Sequence, residues 1–220
     1  METTKPQPLH ERFRPRQWSD YVGQPKALAA LEAIRRVNGT LAGQAYWISG
    51  VTGIGKTTLA RLIAGEISDE FTTIEADAGD CTADSLRELE RTWCQYGWGK
   101  GGRAYIFNEA HRMRAAIVGR WLTMLENQPA HVVVIFTTTN DGEQMVMDGI
   151  DGKPLIDRCT RLALTSQGLC KPFAVRAKAI AESVGLDGQP IEKYERLMKD
   201  CNNSPREAIQ RIGAGCMMEG

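Results

Sequence analysis

Short apolar runs alternate with helical periodicity as far as about residue 165. The apolar runs predict strands at 45–49, 71–76, 103–108, 132–138 and 161–164. Between them, apolar residues recur every three or four positions, which predicts helices at 25–36, 56–67, 82–95 and 115–126. Strands that alternate with helices are typical of a mostly parallel sheet with helices on both faces, so the predicted fold class is α/β.

Beyond residue 165 only helical periodicity remains. Three apolar stripes predict three helices, at 173–184, 191–201 and 208–212. Ser204 followed by Pro205 is a favourable start for the third of them. We therefore expect two domains, an α/β domain at 1–164 and a small three-helix domain at 165–220.

Composition narrows the classes of protein to which this chain can belong. The 27 Lys and Arg residues balance 27 Asp and Glu residues, whereas a protein that coats DNA through bulk charge is usually basic. Any contact with nucleic acid must then come from a local patch or from several assembled subunits. No apolar run reaches the roughly 18–20 residues that cross a bilayer. The polar N-terminus, which we interpret as a flexible tail at 1–9, lacks the apolar core of a secretory signal, so we expect a cytoplasmic protein without a membrane partner.

A glycine-rich loop lies between the first predicted strand and the helix at 56–67. Its sequence, GVTGIGKT, has the spacing of a phosphate-binding loop, in which glycines turn the backbone N–H groups towards phosphate oxygens. Lys56 is placed to reach the terminal phosphates, and the hydroxyl of Thr57 is placed to bind Mg²⁺. The predicted cofactors are therefore ATP and Mg²⁺. The predicted contacts are Gly50, Val51, Thr52, Gly53, Ile54, Gly55, Lys56, Thr57 and Thr58.

The strand at 103–108 ends in the polar pair Asn108-Glu109. Two acids at this point commonly complete such a site, the first holding Mg²⁺ and the second activating water. Glu109 keeps the general base available. Asn108 can offer an amide oxygen to the metal but no charge, so we expect hydrolysis to be weak.

Four further segments have family-specific motifs. They are ERFRPR at 11–16 with DYVGQ at 20–24, the segment 121–139, LIDRC at 155–159 and NSPREA at 203–208. With the phosphate loop, they resemble the AAA+ ATPases over nearly the whole chain. Within that superfamily they are most similar to the clamp-loader group, which includes the gamma/tau subunits of bacterial DNA polymerase III and the small subunits of replication factor C. The resemblance implies a P-loop AAA+ parallel sheet followed by a helical lid at 165–220.

The resemblance also implies roles for single residues. Arg14 and Val22 belong to the segments that line the adenine pocket, and the polar sensor of the family falls on Thr138 or Thr139. Arg206 corresponds to the lid arginine that senses the γ-phosphate.

Arg158 corresponds to the arginine finger that a subunit offers to the ATP of its neighbour. This correspondence implies a homo-oligomer, or a hetero-oligomer, with the finger supplied in trans. Asp157 stands where the family has serine.

Two functions remain open at this stage. The first is an ATP-driven switch or motor that assembles on DNA in replication, recombination or mobile-element maintenance, with a sliding clamp or another replication or recombination protein as client. The second is an oligomeric adaptor that hydrolyses ATP slowly or not at all and keeps it as a structural ligand. The N-terminal box and the phosphate loop also resemble the Holliday-junction branch-migration motor. That family needs a hairpin insertion and a C-terminal winged-helix domain, for which the sequence gives no signal, and the Arg158-Cys159 match favours the clamp-loader group. The chain ends at the lid, so we expect it to lack the C-terminal collar of clamp-loader subunits.

Some helix arginines are candidates for contact with DNA phosphates, with ordinary solvated positions as the alternative. They are Arg87, Arg91, Arg114 and Arg120. Trp93, Tyr96 and Trp98 form an aromatic cluster that is more typical of core packing or a loop anchor than of base stacking.

Overall fold

The computed structural model describes residues 7–149 and 152–218. Most of the expected N-terminal tail lies outside these residues, but its last residue, Leu9, begins helix α1, Leu9–Arg12, so the tail prediction is wrong there. The described chain forms two compact units. The sheet unit contains Pro25–Val51 and Leu59–Leu164, and the lid unit contains the segment up to Gln24, Thr52–Thr58 and the segment from Thr165. The division into domains at 1–164 and 165–220 stays a prediction.

The sheet unit is built on five parallel strands, as the alternating pattern predicted. They are β1 (Gln44–Ser49), β2 (Thr73–Asp77), β3 (Arg103–Asn108), β4 (Val132–Thr138) and β5 (Thr160–Ala163). Their order across the sheet is β2-β3-β4-β1-β5. Every residue of β4 is buried, as is expected of a central strand in a parallel sheet covered on both faces.

Six α-helices lie in the described part of the sheet unit. They are α2 (Pro25–Asn38), α3 (Lys56–Ile67), α4 (Ala83–Trp93), α5 (Ala115–Glu126), α6 (Asn140–Met147) and α7 (Gly152–Asp157), with the first turn of α3 assigned to the lid unit. Helices α3 and α5 have the predicted bounds, whereas α6 and α7 were not predicted. The strand predicted at 71–76 begins two residues later, because Phe71 lies in a one-turn 3-10 helix, Glu70–Thr72, that follows Asp69.

An aromatic cluster forms the core between the sheet and helices α4 and α5. Trp121 of α5 meets Phe107 of β3 edge-on at 4.9 Å between ring centroids and Phe136 of β4 at 5.3 Å. Trp93 of α4 stacks on Tyr105 of β3 at 5.5 Å. The large area that these rings bury holds both helices against the sheet and so fixes the strand ends that bear the polar residues.

The lid unit contains α1 and three consecutive helices. These are α8 (Cys170–Ser183), α9 (Ile191–Asp200) and α10 (Pro205–Gly213), which confirm the three predicted stripes. Gln24 ties the N-terminal segment to the start of this region: its side chain donates to the carbonyl of Thr165 at 2.9 Å and accepts from the Thr165 N–H at 3.0 Å. No helix in the described part of the chain is both long and apolar enough to cross a membrane.

Candidate functional site

The phosphate loop connects the end of β1 at Ser49 to the start of α3 at Lys56. Gly53 and Gly55 have φ angles of +80° and +107°, which side-chain-bearing residues rarely adopt. Lys56 and Thr58 are buried, as is Ile54. A tight turn that leads into a helix N-terminus can direct backbone N–H groups towards a bound anion, so this loop has the conformation that an anion site requires.

Gly53 of the loop lies directly against the start of α10. A Cβ at this position would overlap Oγ of Ser204 and lie 3.5 Å from Cβ of Arg206. Glycine is therefore required here for a close approach as well as for its backbone angle. The structure brings Arg206, the predicted lid sensor, next to the phosphate loop, with an exposed side chain.

Tyr21 also lies beside the loop, and sequence reasoning did not single it out. A Cβ on Gly55 would be 3.5 Å from both Cε2 and the hydroxyl oxygen of Tyr21. This hydroxyl is buried and has no hydrogen-bond partner among the described residues, and burial raises its pKa above the ordinary value, so it is a neutral donor. An unpartnered buried hydroxyl next to a phosphate loop fits a ligand oxygen.

The two residues expected to line the adenine pocket lie in the same N-terminal segment. Val22 is half-buried between Tyr21 and Gly23, and a Cβ on Gly23 would be 3.0 Å from Leu169. Arg14 donates through Nε to Glu11 at 3.0 Å and forms an ion pair with it. The structure therefore places Val22 next to Tyr21, whereas Arg14 is engaged by Glu11 of the preceding helix α1.

In the sheet unit, the polar pair Asn108-Glu109 lies where β3 ends. Glu109 has φ +55° and ψ +50°, the left-handed conformation, which costs a residue with a side chain about 1–2 kcal/mol. Such strain clusters at functional sites. The side chain of Glu109 is 41% exposed, so water can reach its carboxylate.

His111 connects Glu109 to β4. Its Nδ1 lies 3.0 Å from Oγ1 of Thr138 and 3.6 Å from Oε2 of Glu109. Thr138 is fully buried, whereas the neighbouring Thr139 accepts a hydrogen bond from the N–H of Gly142 at 3.0 Å and caps α6. Of the two sensor candidates, Thr138 is therefore the one joined to Glu109. Sequence reasoning gave His111 no role, although its spacing from Glu109 was visible.

The amide of Asn108 has partners on both neighbouring strands. Its Oδ1 accepts from the hydroxyl of Thr137 at 2.9 Å, and its Nδ2 donates to Oε1 of Glu75 at 2.9 Å. An amide oxygen has two lone pairs and can therefore interact with more than one group. Among the described residues there is no cluster of three His, Cys, Asp or Glu residues that could hold a metal, and the assignment of Mg²⁺ to Thr57 and Asn108 stays a prediction.

Arg158 follows α7 at the edge of the sheet unit. It forms an ion pair with Glu126 at the end of α5 and donates to the carbonyl of Pro154 at 3.1 Å. The adjacent Cys159 is buried, its Sγ donates to the carbonyl of Leu155, and burial raises its pKa to about 12. The thiol is therefore an inert packing group, and it fixes the turn that presents Arg158, whose side chain is 36% exposed.

The four arginines that are candidates for contact with DNA differ in exposure and in hydrogen-bond partners. Arg87, Arg91 and Arg114 are exposed, but Arg87 is paired with Asp84, and Arg120 donates to the carbonyl of Ala83 at 2.8 Å.

Trp93, Tyr96 and Trp98, the aromatic residues singled out from the sequence, differ in burial. Trp93 packs in the core, as expected, whereas Tyr96 and Trp98 are 73% and 88% exposed. Of the two expected roles, core packing is therefore wrong for Tyr96 and Trp98, and a loop anchor stays the prediction for them. Tyr96 instead stacks on His131 at 4.2 Å between ring centroids.

Comparisons with known proteins identify the family and the fold. Residues 46–166 match the family described as "ATPase family associated with various cellular activities (AAA)". The chain is 31% identical over 162 residues to DNA polymerase III subunit tau of Salmonella typhimurium, covering 61% of this chain and 24% of that protein. It is 27% identical over 232 residues to DNA polymerase III subunit gamma of Buchnera aphidicola, covering 93% of this chain and 60% of that protein.

Among solved structures, the chain resembles the RuvB Holliday junction branch migration motor of Thermotoga maritima. The TM-score is 0.71 with 21% identity, and the match covers 91% of this chain and 64% of that one. At this identity the likeness establishes the fold. The chain spans about a quarter of the tau subunit and 60% of the gamma subunit that it matches.

Proposed function

Because the chain belongs to the AAA family of ATPases, we propose that it binds ATP with Mg²⁺ on its phosphate loop and uses hydrolysis to drive an assembly on DNA, as a clamp-loader subunit does. The similarity to the gamma and tau subunits of DNA polymerase III supports the clamp-loader type. The process served is replication, recombination or mobile-element maintenance.

One observation supports nucleotide binding above the others. The phosphate loop is approached by Arg206 at Gly53 and by Tyr21 at Gly55, so a cationic residue and an unpartnered hydroxyl lie next to the backbone of the loop. Each is a group that stabilises a bound polyphosphate. Lys56 and Thr57 of the same loop would hold the terminal phosphates and the metal ion.

The residues at the strand ends support hydrolysis. Mg²⁺ supplies positive charge against the phosphate oxygens when it is bound. Glu109 accepts a proton from the attacking water, and its strained backbone holds the carboxylate at the strand end. His111, together with Thr138 of the neighbouring strand, restrains Glu109. The amide of Asn108 is held in one orientation by its hydrogen bonds to Thr137 and Glu75.

Assembly on DNA rests on Arg158. We propose that this arginine completes the site of a neighbouring subunit, in a homo-oligomer or with a longer partner, because it lies on the exposed edge of the sheet unit beside Glu126. The exposed arginines Arg87, Arg91 and Arg114 would contribute local contacts to DNA phosphates once several subunits are aligned. The client is a sliding clamp or another replication or recombination protein.

The amide at position 108 favours a second candidate, a slowly hydrolysing adaptor in which ATP is a structural ligand. The neutral amide gives the metal ion less charge than an acid would. Hydrolysis measured with no DNA, primed DNA and duplex DNA separates the candidates: stimulation by DNA supports the switch, and an unchanged, very slow rate supports the adaptor.

The direct test of the site is calorimetric titration of ATP with Mg²⁺ into Lys56→Ala. Loss of the buried cation should weaken ATP binding at least about tenfold. Lys193→Ala, on the exposed face of α9, is the control and should bind like the unaltered protein. Equal ATP affinity in Lys56→Ala would place the nucleotide elsewhere.

A further inference from the structure

A network of polar side chains connects Asn108 to strand β2 and helix α3. The carboxylate of Glu75, on β2, accepts from Nδ2 of Asn108 at 2.9 Å. It also accepts from Nε and Nη2 of Arg61, at 2.7 and 3.1 Å. Arg61 lies on α3, the helix that begins with Lys56 of the phosphate loop.

The hydrogen bonds on the two sides of Asn108 require opposite chemistry. Towards Glu75 the residue must donate, and towards the hydroxyl of Thr137 it accepts at 2.9 Å. An amide does both, whereas an ionised carboxylate only accepts. An aspartate in this orientation would bring a second anion next to the carboxylate of Glu75, and such a like-charge contact is unfavourable.

The direction of the amide follows from these partners. Glu75 holds Nδ2 on the β2 side, which places Oδ1 on the β4 side, where it accepts from Thr137. Arg61 restrains the carboxylate in turn through two parallel hydrogen bonds, a geometry with strong directional preference. The orientation of Asn108 is therefore set by a side chain on another strand.

We propose that Glu75 is a positioning residue for the ATP site. It fixes the orientation of Asn108, so an amide functions at position 108 better than an acid does. This inference rests on the proposed function. Glu75 contributes negative charge from β2, and position 108 on β3 is neutral. The substitution Asn108→Asp, which by sequence alone would supply the missing acid, is then harmful unless Glu75 is neutralised.

A double-mutant cycle tests this coupling. The four proteins are the unaltered chain, Asn108→Asp, Glu75→Gln and the double variant. ATP turnover is measured against Mg²⁺ concentration. The affinity for ATPγS is measured by calorimetry with Mg²⁺ and with EDTA, so the coupling can be determined even if turnover is slow. We expect Asn108→Asp alone to lower turnover about threefold or more, and the double variant to exceed Asn108→Asp by at least about threefold and to need less Mg²⁺.

Asp77→Asn is the matched background control. Asp77 is an acid on the same strand, paired with Arg112 and with the N–H of Gly79. Asp77 is also the register partner of Asn108 on the neighbouring strand. Because Asp77→Asn leaves Glu75 and its hydrogen bond in place, it should relieve the effect of Asn108→Asp less than Glu75→Gln does.

The inference is overturned if Asn108→Asp changes turnover and Mg²⁺ dependence by the same factor with and without Glu75→Gln, or if Asp77→Asn relieves it equally well. A chain that binds no ATPγS at all would overturn the proposed function and this inference together. Tight ATPγS binding with an additive cycle would overturn the inference alone.

Discussion

At the scale of single residues, Glu109 and His111 form the most constrained part of the candidate site. Glu109 is in the left-handed conformation directly after β3, and His111 lies between it and the buried Thr138. A strained residue persists only where its surroundings over-determine it. The contacts of His111 supply part of that restraint, so its loss should disturb catalysis more than nucleotide binding.

His111→Ala should lower the turnover of ATP about tenfold, which is less than the roughly 10²–10⁴-fold contribution of a general base itself. ATP affinity should stay within about twofold. His131→Ala is the control, because His131 stacks on Tyr96 away from Glu109. Steady-state kinetics and calorimetry measure the two quantities. Equal turnover in both variants would rule out a role for His111.

Tyr21→Phe should separate stability from binding. Removal of an unpartnered buried hydroxyl should raise the free energy of unfolding of the nucleotide-free protein by about 1 kcal/mol, and ATP affinity should fall about threefold to tenfold because a donor to the ligand is lost. Chemical denaturation and calorimetry are the measurements.

Tyr46→Phe is the matched control for Tyr21→Phe. The Tyr46 hydroxyl is buried but donates to the carbonyl of Leu41 at 3.1 Å. Its removal should lower the free energy of unfolding by about 1 kcal/mol and leave ATP affinity unchanged. If Tyr21→Phe behaves like Tyr46→Phe, the Tyr21 hydroxyl does not contact the nucleotide.

Sequence reasoning located the chemistry of the site through motifs, but it did not find the residues that support it. Lys56 and Glu109 were visible because their neighbours in sequence define their roles. Tyr21 and Glu75 were not, because their importance comes from burial and from partners on other segments, such as Gly55 and Asn108. No local pattern predicts that a particular hydroxyl will lack a partner.

At the scale of elements, α6 connects the candidate site to the segment that bears Arg158. Its N-terminus is capped by Thr139, and Gly142 in its first turn packs against His111 and Thr138, since a Cβ there would be 2.5 Å from Nδ1 of the one and Oγ1 of the other. Helix α6 also contacts α7, which precedes Arg158. A displacement of the His111-Thr138 pair is therefore expected to move α6.

Gly142→Ala should lower ATP turnover, because the added methyl group separates His111 from Thr138. Gly65→Ala on α3 is the control: a Cβ there meets open space and should stabilise the helix by up to about 1 kcal/mol. Turnover and thermal unfolding are measured for both. Normal turnover in a folded Gly142→Ala protein would contradict the proposed coupling.

Buried helices and strands were predicted from the sequence more accurately than exposed or short ones. Strands β3 and β4 and helices α3 and α5 have the predicted bounds, because buried apolar runs and amphipathic stripes give a strong signal. The edge strand β2 is only half-buried, and the exposed Phe71 placed its start too early. Helices α6 and α7 are short and contain Gly142, Gly152 or Pro154, residues that weaken a helical pattern.

At the scale of the whole molecule, the account depends on a site completed by a second subunit. Arg158 is paired with Glu126 of its own chain, an exposed contact that contributes little free energy. An ATP-bound neighbour can therefore compete for the arginine. Turnover should then rise with protein concentration, because a dilute subunit lacks a finger for its own ATP.

The most direct test is ATP turnover per subunit, measured over a range of protein concentrations, for Arg158→Ala and Lys56→Ala alone and mixed. Arg158→Ala should bind ATP normally and hydrolyse almost none, and Lys56→Ala should fail to bind it. The mixture should recover activity, because an intact phosphate loop of one subunit can meet an intact Arg158 of the other. Turnover that is independent of concentration, together with no recovery in the mixture, would contradict the account.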